Sequence, residues 1–319
     1  MHDQLPPPAP ATRGGWPSMS AVLSKLHDPV TKEMPQFIGL APKMGEMHWA
    51  NPGKPGFLGP AHAPFQPNGF GKDDMTLNGV TLDRLNDRHQ LLANFDRFRR
   101  EMDSSGAMEG LDALNQQAFG ILTSSRLVEV LDYQKESVHT IERYGKDDQA
   151  IRGDTAPRIL EQFLIARRLV EAGIRCVTVA SGFWDYHGNN FKLCREDLPM
   201  VDQGVYALVT DIYERGLDKD ISVVVWGEFG RTPTINANAG RDHWPRASCA
   251  LLSGGGMRTG QAIGSTDRLE GEVDERPVHF QEILATIYHN VGLNVNKATV
   301  QDFTHPSHLQ RLSGRRRGS

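Results

Sequence analysis

The sequence predicts an α/β layered fold with a largely parallel sheet. After residue 153, helical and strand patterns alternate along the chain and are joined by short connections, as in folds that pack helices against a sheet. Residues 221–226 form a continuous apolar run, which is typical of a strand buried on both faces of a parallel sheet. The 319 residues, 39% of them apolar and 23% charged, are enough to bury a sizeable core.

The first 75 residues are rich in Pro and Gly, and this composition predicts long loops. Within them, residues 18–26 predict a helix capped by Ser18 or Ser20, and residues 37–40 predict a short strand. Neither completes a supersecondary unit, so both elements need partners from elsewhere in the chain.

Residues 81–144 carry apolar side chains at spacings of three and four, and they predict a helical insertion that covers the sheet. The main βα part follows at residues 153–293, where the first helix is expected to have Thr155 as its cap and Pro157 in its first turn, and to end at Gly173. The other elements expected there are strands at 176–180, 221–226 and 248–252 and helices at 197–215 and 279–291. We expect a single domain over residues 1–310.

The charge distribution argues against a nucleic-acid partner. The chain has 35 Lys and Arg against 39 Asp and Glu, and four arginines lie in the expected disordered tail at 311–319, so the rest carries about −8 (31 minus 39). No apolar run approaches the ~18 residues of a membrane span, and the three cysteines lack the C-x-x-C spacing of a metal or redox site. The first residues lack an export signal, so the chain as written is expected to be cytoplasmic or to have lost its targeting segment.

Metal-ligating side chains cluster where the predicted strands end. Asp185 and His187 follow the strand at 176–180, Glu228 follows the strand at 221–226, and Asp242 and His243 precede the strand at 248–252. In open α/β sheets the ligand crevice lies beyond the carboxyl ends of the strands. Each residue alone is more simply a turn former or a surface hydrogen bonder, but together they favour a metal or anion site.

Neighbouring residues predict contacts to a bound anion, each with a structural alternative. Arg231 can hold an oxyanion bidentately or pair with Glu228 within its turn. Asn189 can donate to an oxyanion or serve a turn, and Trp184 and Trp244 can wall a substrate pocket or fill the edge of the core.

Two further patterns are interpreted as structural. Residues 253–256, Ser-Gly-Gly-Gly, suggest a phosphate cradle but lack the Lys-Ser/Thr of a P-loop, so a tight strand exit is the simpler interpretation. His305 and His308 form a weak ligand pair next to a proline and are expected at the surface. A nucleotide-binding α/β protein is disfavoured because the chain has neither a P-loop nor a G-x-G-x-x-G motif.

Four motifs carry a resemblance to a known family. They are FWDYHGNN at 183–190, GEFGRTP at 227–233, GRDHW at 240–244 and GSTD at 264–267. With them, residues 16–293 resemble the domain of unknown function 1501 family, which is abundant in planctomycete-type bacteria and is grouped with the sulfatase-like, alkaline-phosphatase-like superfamily.

The resemblance implies a three-layer α/β/α sandwich with one or two divalent metals at the strand ends, and export to the periplasm. In sulfatases the strand matching 221–226 ends in an Asp-His pair, whereas this chain has Glu228 and Phe229, so His243 or His187 would complete the site. Members of the superfamily begin with a strand that supplies a metal ligand and the nucleophile. We expect this chain to start downstream of both, with that N-terminal strand missing.

The resulting functional expectation is a metal-dependent hydrolase of phosphoric or sulfuric esters, acting on a small molecule or a glycan ester. The metal would be the Lewis acid and Arg231 would contact the oxyanion, while covalent hydrolysis is expected to be undetectable without a nucleophile. A two-metal site needs ligands from both halves of the sheet and this chain offers only the C-terminal set, so one metal is expected. The mixed oxygen and nitrogen donors favour zinc or manganese over calcium. The alternative is a non-catalytic binding or assembly module for sulfated or phosphorylated glycans.

Overall fold

The described part of the chain is a mixed α/β structure. The computed structural model describes residues 15–27, 34–40, 53–67, 120, 126–150, 157–182, 184–302 and 305–311. Most of the expected helical insertion at 81–144 and the expected tail beyond residue 311 lie outside these ranges. The single-domain organisation therefore stays a prediction.

The elements are numbered in chain order. The helices are α1 (Met19–Leu26), α2 (Arg126–Leu131), α3 (Val138–Tyr144), α4 (Glu161–Glu171), α5 (Asn190–Glu214) and α6 (Phe280–Asn290). The strands are β1 (Phe37–Leu40), β2 (Cys176–Val179), β3 (Ser222–Trp226), β4 (Gly230–Arg231), β5 (His243–Trp244), β6 (Ala250–Gly254), β7 (Ser265–Thr266), β8 (Val273–Glu275), β9 (Thr299–Asp302) and β10 (His305–Arg311). In the described ranges, no helix is both long enough and apolar enough to cross a membrane.

The strands form small sheets, and most of the pairs are antiparallel. Of the five strand pairs among the described residues, only β1 with β2 is parallel, with Phe37 opposite Cys176. The pairs β3 with β6, β4 with β5, β7 with β8 and β9 with β10 are antiparallel. A three-layer sandwich around a largely parallel sheet is therefore not confirmed.

The apolar strand at 221–226 shows why the predicted direction was wrong. It forms as β3, but it pairs antiparallel with β6, with Val224 opposite Leu252, and its residues are partly exposed, Trp226 by 42%. An apolar run indicates a preference for burial and for extended backbone. The direction of the partner strand depends instead on the path of the chain that connects the two strands.

Several local predictions are confirmed. Helix α1 begins after Ser18, whose hydroxyl accepts the N–H of Ala21 at 3.2 Å, and β1 occupies residues 37–40 as expected. Both elements are buried, α1 against the segment at 53–67 and β1 against β2. Local capping and strand propensity therefore decided these boundaries.

Helix α4 starts later than predicted. Thr155 lies outside the described residues, and Pro157 precedes the helix, which begins at Glu161. The Asp147 carboxylate accepts the backbone N–H groups of Leu160 at 2.6 Å and Glu161 at 3.1 Å. The cap of this helix is thus a side chain 13 residues upstream. Sequence patterns predict caps only from residues next to the helix, so they do not identify Asp147.

Three apolar clusters form the core of the described residues. One packs α2 and α4 against β1 and β2, a second packs α1 and residues 57–58 against α6, and a third joins α3, α4 and α5. Each cluster combines segments far apart in sequence, so the local elements depend on one another for burial.

A buried arginine links α4 to α5 beside the third cluster. Arg167 forms ion pairs with Glu136 at 2.9 Å, Glu171 at 2.6 Å and Asp211 at 2.8 Å, and its side chain is almost fully buried. Burial opposes ionisation of Asp211, but the hydrogen bond from Arg215 and the charge of Arg167 hold the pKa of that carboxyl below its usual value.

Candidate metal centre

Three donor atoms, two from the loop after β2 and one from β5, meet at one point. His187 Nε2 lies 3.2 Å from His243 Nε2 and 3.1 Å from Asp185 Oδ1, and His243 Nε2 lies 3.0 Å from the same oxygen. We call these three residues the donor triangle. Among the described residues, they are the group of histidine, cysteine and acidic side chains arranged closely enough to share a metal ion.

The size of the donor triangle fits a small divalent cation. Ligands about 2.0–2.1 Å from a tetrahedral ion lie roughly 3.3–3.4 Å apart, and ligands at a similar distance in octahedral geometry lie roughly 2.8–3.0 Å apart. The observed sides of 3.0–3.2 Å fall between these values. Three protein ligands also leave coordination positions for water or a substrate, as in catalytic metal sites.

Two short strands and a loop contact bring the donors together. Strand β4 pairs with β5 so that Arg231 stands opposite His243. The loop after β2, which carries Asp185 and His187, meets the 236–242 loop through a bridge between Gly188 and Ala239. Of the four residues expected to converge, Asp185, His187 and His243 lie together and Glu228 does not, and they meet beside a small antiparallel ribbon.

Asp242 holds one of the donors in place. Its Oδ1 lies 2.8 Å from Nδ1 of His187. An ionised carboxylate only accepts, so Nδ1 carries the proton and Nε2 presents its lone pair to the donor triangle. Hydrogen bonds from His187 and Asn236 lower the pKa of Asp242, which keeps this carboxylate ionised. The structure thus places Asp242 next to the donor triangle as the residue that orients His187.

Asn236 is a functional candidate that the sequence analysis missed. Its Nδ2 donates to Asp242 Oδ1 at 3.2 Å and to the His187 carbonyl at 3.1 Å, while its Oδ1 accepts the N–H of Asn238 at 3.0 Å and Gly240 at 2.9 Å. These four bonds fold the 236–240 loop against the His187 backbone. An asparagine followed within four residues by a glycine was the available signal for such a turn.

Gly240 permits the close contact between the two loops. A Cβ at this position would lie 2.0 Å from the carbonyl carbon and oxygen of His187, which no side chain tolerates. The glycine therefore allows the backbones to approach, and the approach brings Asp242 within reach of the imidazole.

Arg231 lies on one side of the donor triangle. Its Nη1 is 2.6 Å from Asp185 Oδ1, although the N–H is not aligned with an acceptor among the described residues. Its guanidinium is 5.9 Å from the ring centre of Phe229, and that ring packs 4.8 Å from His243. Burial would raise the pKa of Asp185, but the hydrogen bond from His243 and the neighbouring Arg231 lower it.

The structure gives the other predicted site residues different surroundings. Glu228 is exposed and lies outside the donor triangle. Asn189 has a left-handed backbone (φ 50°), precedes α5, and donates its backbone N–H to the carbonyl of Asn238 at 3.0 Å. Its observed contact therefore serves the loop-to-loop junction.

Both predicted aromatic residues are partly buried and use their indole N–H groups within the fold. Trp184 donates to the carbonyl of Ser181 and Trp244 donates to the carbonyl of Gly271, each at 2.6 Å. Both rings thus brace loops next to the donor triangle.

The glycine run after β6 is a strand exit. The N–H of Gly255 donates to the carbonyl of Ile221 at 2.8 Å, and the N–H of Gly256 donates to that of Asp218 at 3.4 Å. Because these donors are used within the fold, they do not form a phosphate cradle.

Comparisons with known proteins place the chain in a family. Neither the curated proteins nor the solved structures gave a match. A family model described as "Protein of unknown function (DUF1501)" matches residues 8–316. This match covers nearly the whole chain, including every residue of the donor triangle, and the protein therefore belongs to the DUF1501 family.

Proposed function

We propose that this protein is a metal-dependent hydrolase of phosphoric or sulfuric esters with a sulfatase-like site. The observation that carries the proposal is the donor triangle, in which two imidazole nitrogens and a carboxylate oxygen lie 3.0–3.2 Å apart beside a guanidinium. Neutral imidazoles with one carboxylate are ligands that favour zinc or manganese over calcium.

Asp185, His187 and His243 would hold the metal, with Asp242 as the outer partner of His187. A bound divalent ion would supply a Lewis acid for an ester oxygen. The single carboxylate of the triangle leaves the loaded site with a positive charge, which favours an anionic ligand.

Arg231 supports the assignment of an anionic ester. A guanidinium offers planar paired donors that match the oxygens of a phosphate or sulfate group. Its side chain is 21% exposed and its Nη1 lies 2.6 Å from a ligand of the proposed metal, so an ester group at the metal would be within reach of the same guanidinium. Such a contact would stabilise charge that develops on the ester oxygens.

The accessibility of the site is compatible with an ester on a small molecule and with an ester on a glycan. The side chains of His187 and His243 are 46% and 50% exposed, so the donor triangle opens to solvent in the described structure. A terminal or branching ester of a glycan can approach such a surface, as can a small aryl ester.

One observation favours a second candidate, a module that binds sulfated or phosphorylated glycans without cleaving them. The hydroxyl of Thr232, next to Arg231, donates to the Thr234 carbonyl at 2.8 Å and accepts the Asp242 N–H at 3.1 Å. This hydroxyl is thus engaged in the fold and not free to act as a nucleophile, which is compatible with a site that binds an ester without attacking it.

The test combines metal analysis with activity and binding assays. Purified protein is expected to hold one zinc or manganese ion per chain, which His243→Ala loses and His139→Ala, altering an exposed histidine of α3, retains. Turnover of aryl phosphate or aryl sulfate that EDTA abolishes would support the hydrolase. Glycan binding without turnover would support the binding module, and wild-type protein that holds no metal would refute the metal-dependent hydrolase.

A further inference from the structure

A buried polar network lies directly behind the donor triangle. Tyr186 stands between Asp185 and His187 in sequence, and it is only 2% exposed while its neighbours face solvent. Its hydroxyl donates a hydrogen bond to Oδ2 of Asp197, a residue of α5 that is 0% exposed. The segment that carries two donors is therefore anchored to the long helix.

The anchoring carboxylate is itself held by an arginine. Arg158, which is 3% exposed, contacts Oδ1 of Asp197 through Nη1 and Oδ2 of Asp148 through Nη2. A carboxylate that pairs with a guanidinium is a strong acceptor for the tyrosine hydroxyl. The network thus offers Tyr186 a fixed position that solvent does not reach.

The backbone around Tyr186 links this anchor to the donors. The N–H of His187 donates to the carbonyl of Asp185 at 3.0 Å, which makes Tyr186 the central residue of a three-residue γ-turn. The carbonyl of Tyr186 accepts the N–H of Arg241 at 3.0 Å, which ties the turn to the loop that carries Asp242. Rotation of Tyr186 would therefore move both neighbouring donors.

We propose that Tyr186 is a positioning residue that, through Asp197 and Arg158, sets the relative placement of Asp185 and His187 for metal binding. The inference rests on the proposed metal site. It assigns a role to a buried triad whose members do not touch the metal.

The test is Tyr186→Phe, which removes one oxygen and keeps the buried ring. Tyr144→Phe is the matched control, because Tyr144 is 1% exposed and donates its hydroxyl to Asp211 of the same helix at 3.1 Å, away from the donor triangle. Cobalt(II) affinity and the visible spectrum of the cobalt-loaded protein are measured in wild type and both variants, and far-UV circular dichroism checks folding.

Tyr186→Phe is expected to weaken cobalt binding about tenfold, the lower end of the effect of losing an outer-shell partner, because its hydroxyl bonds Asp197 and not a donor, and to change the visible spectrum. Tyr144→Phe is expected to stay within about twofold of wild type with an unchanged spectrum. Equal affinities and spectra in wild type and Tyr186→Phe would overturn the inference, as would equal losses in the two variants.

Amide hydrogen exchange separates this inference from the proposed function, since it requires no metal. The N–H groups of His187 and Arg241 are expected to exchange faster in Tyr186→Phe than in wild type or Tyr144→Phe. Wild-type protein that binds no cobalt would refute the proposed metal site, and unchanged exchange at these two amides would refute the positioning role.

Discussion

Replacing Asp242 by asparagine should weaken metal binding without removing a donor of the triangle. The substitution keeps an oxygen that can accept from His187 Nδ1, now 2.8 Å from Asp242 Oδ1, but it removes the negative charge. A hydrogen bond to an ionised acceptor is roughly twice as strong as one between neutral groups, and it makes the imidazole a better ligand.

The expected size of the effect follows from linkage between metal binding and folding. Zinc at a free concentration about 100 times its Kd stabilises the folded state by about 2.7 kcal/mol. Outer-shell substitutions raise Kd about 10–100-fold, and we expect the lower end because asparagine retains the acceptor. At the same zinc concentration, a tenfold higher Kd leaves a stabilisation of about 1.4 kcal/mol.

The assay is urea unfolding with zinc and with EDTA, compared between wild type and Asp242→Asn. Asp274→Asn, an exposed aspartate of β8, is the control and should retain the full zinc-dependent stabilisation. Two results would refute the reasoning: undiminished stabilisation in Asp242→Asn, or an equal loss in Asp274→Asn.

Three further predictions concern the loop contact and the buried charges. Gly240→Ala should weaken zinc binding in a titration because its Cβ would overlap the His187 carbonyl, whereas Gly227→Ala, with open space around it, should bind as wild type. Arg167→Met should lower the free energy of unfolding in urea by about 3 kcal/mol, since it leaves buried carboxylates that two other arginines only partly neutralise; a change under about 1 kcal/mol would contradict this. Burial and a nearby lysine lower the pKa of His62 to about 4, so the folded protein should lose stability as pH falls from about 6.5, the unfolded value, towards 4. His62→Gln should reduce this loss of stability. If NMR shows that the His62 imidazole titrates near pH 6.5 in the folded protein, the prediction is wrong.

The sequence predicted some of the residues of the candidate site. Asp185, His187 and His243 were candidates because acidic and histidine residues at strand ends are typical ligands, and the structure brings their donor atoms together. The sequence could not predict that these three residues supply the donor atoms while Asp242 bonds His187 and Glu228 lies outside the site. Whether a carboxylate lies beside a donor or faces solvent depends on how two loops pack, and residue type does not encode that.

Local chemistry by itself determined several elements of this protein. Ser18 caps α1 and residues 37–40 form β1 because capping and extended propensity act over a few residues. The four motifs at 183–190, 227–233, 240–244 and 264–267 likewise led from the sequence to the DUF1501 family, whose model matches residues 8–316.

Only the tertiary structure decided which strand pairs with β3, and in which direction, and which residues support the donor triangle. The partners of Tyr186 and of His187 lie 11 and 55 residues further along the chain, at Asp197 and Asp242. Hydrogen bonds over such separations form only after the loops and α5 have packed, so no local pattern encodes them. The sequence therefore predicts the donor residues, whereas tertiary packing determines which carboxylate orients His187 and which tyrosine anchors the turn between the donors.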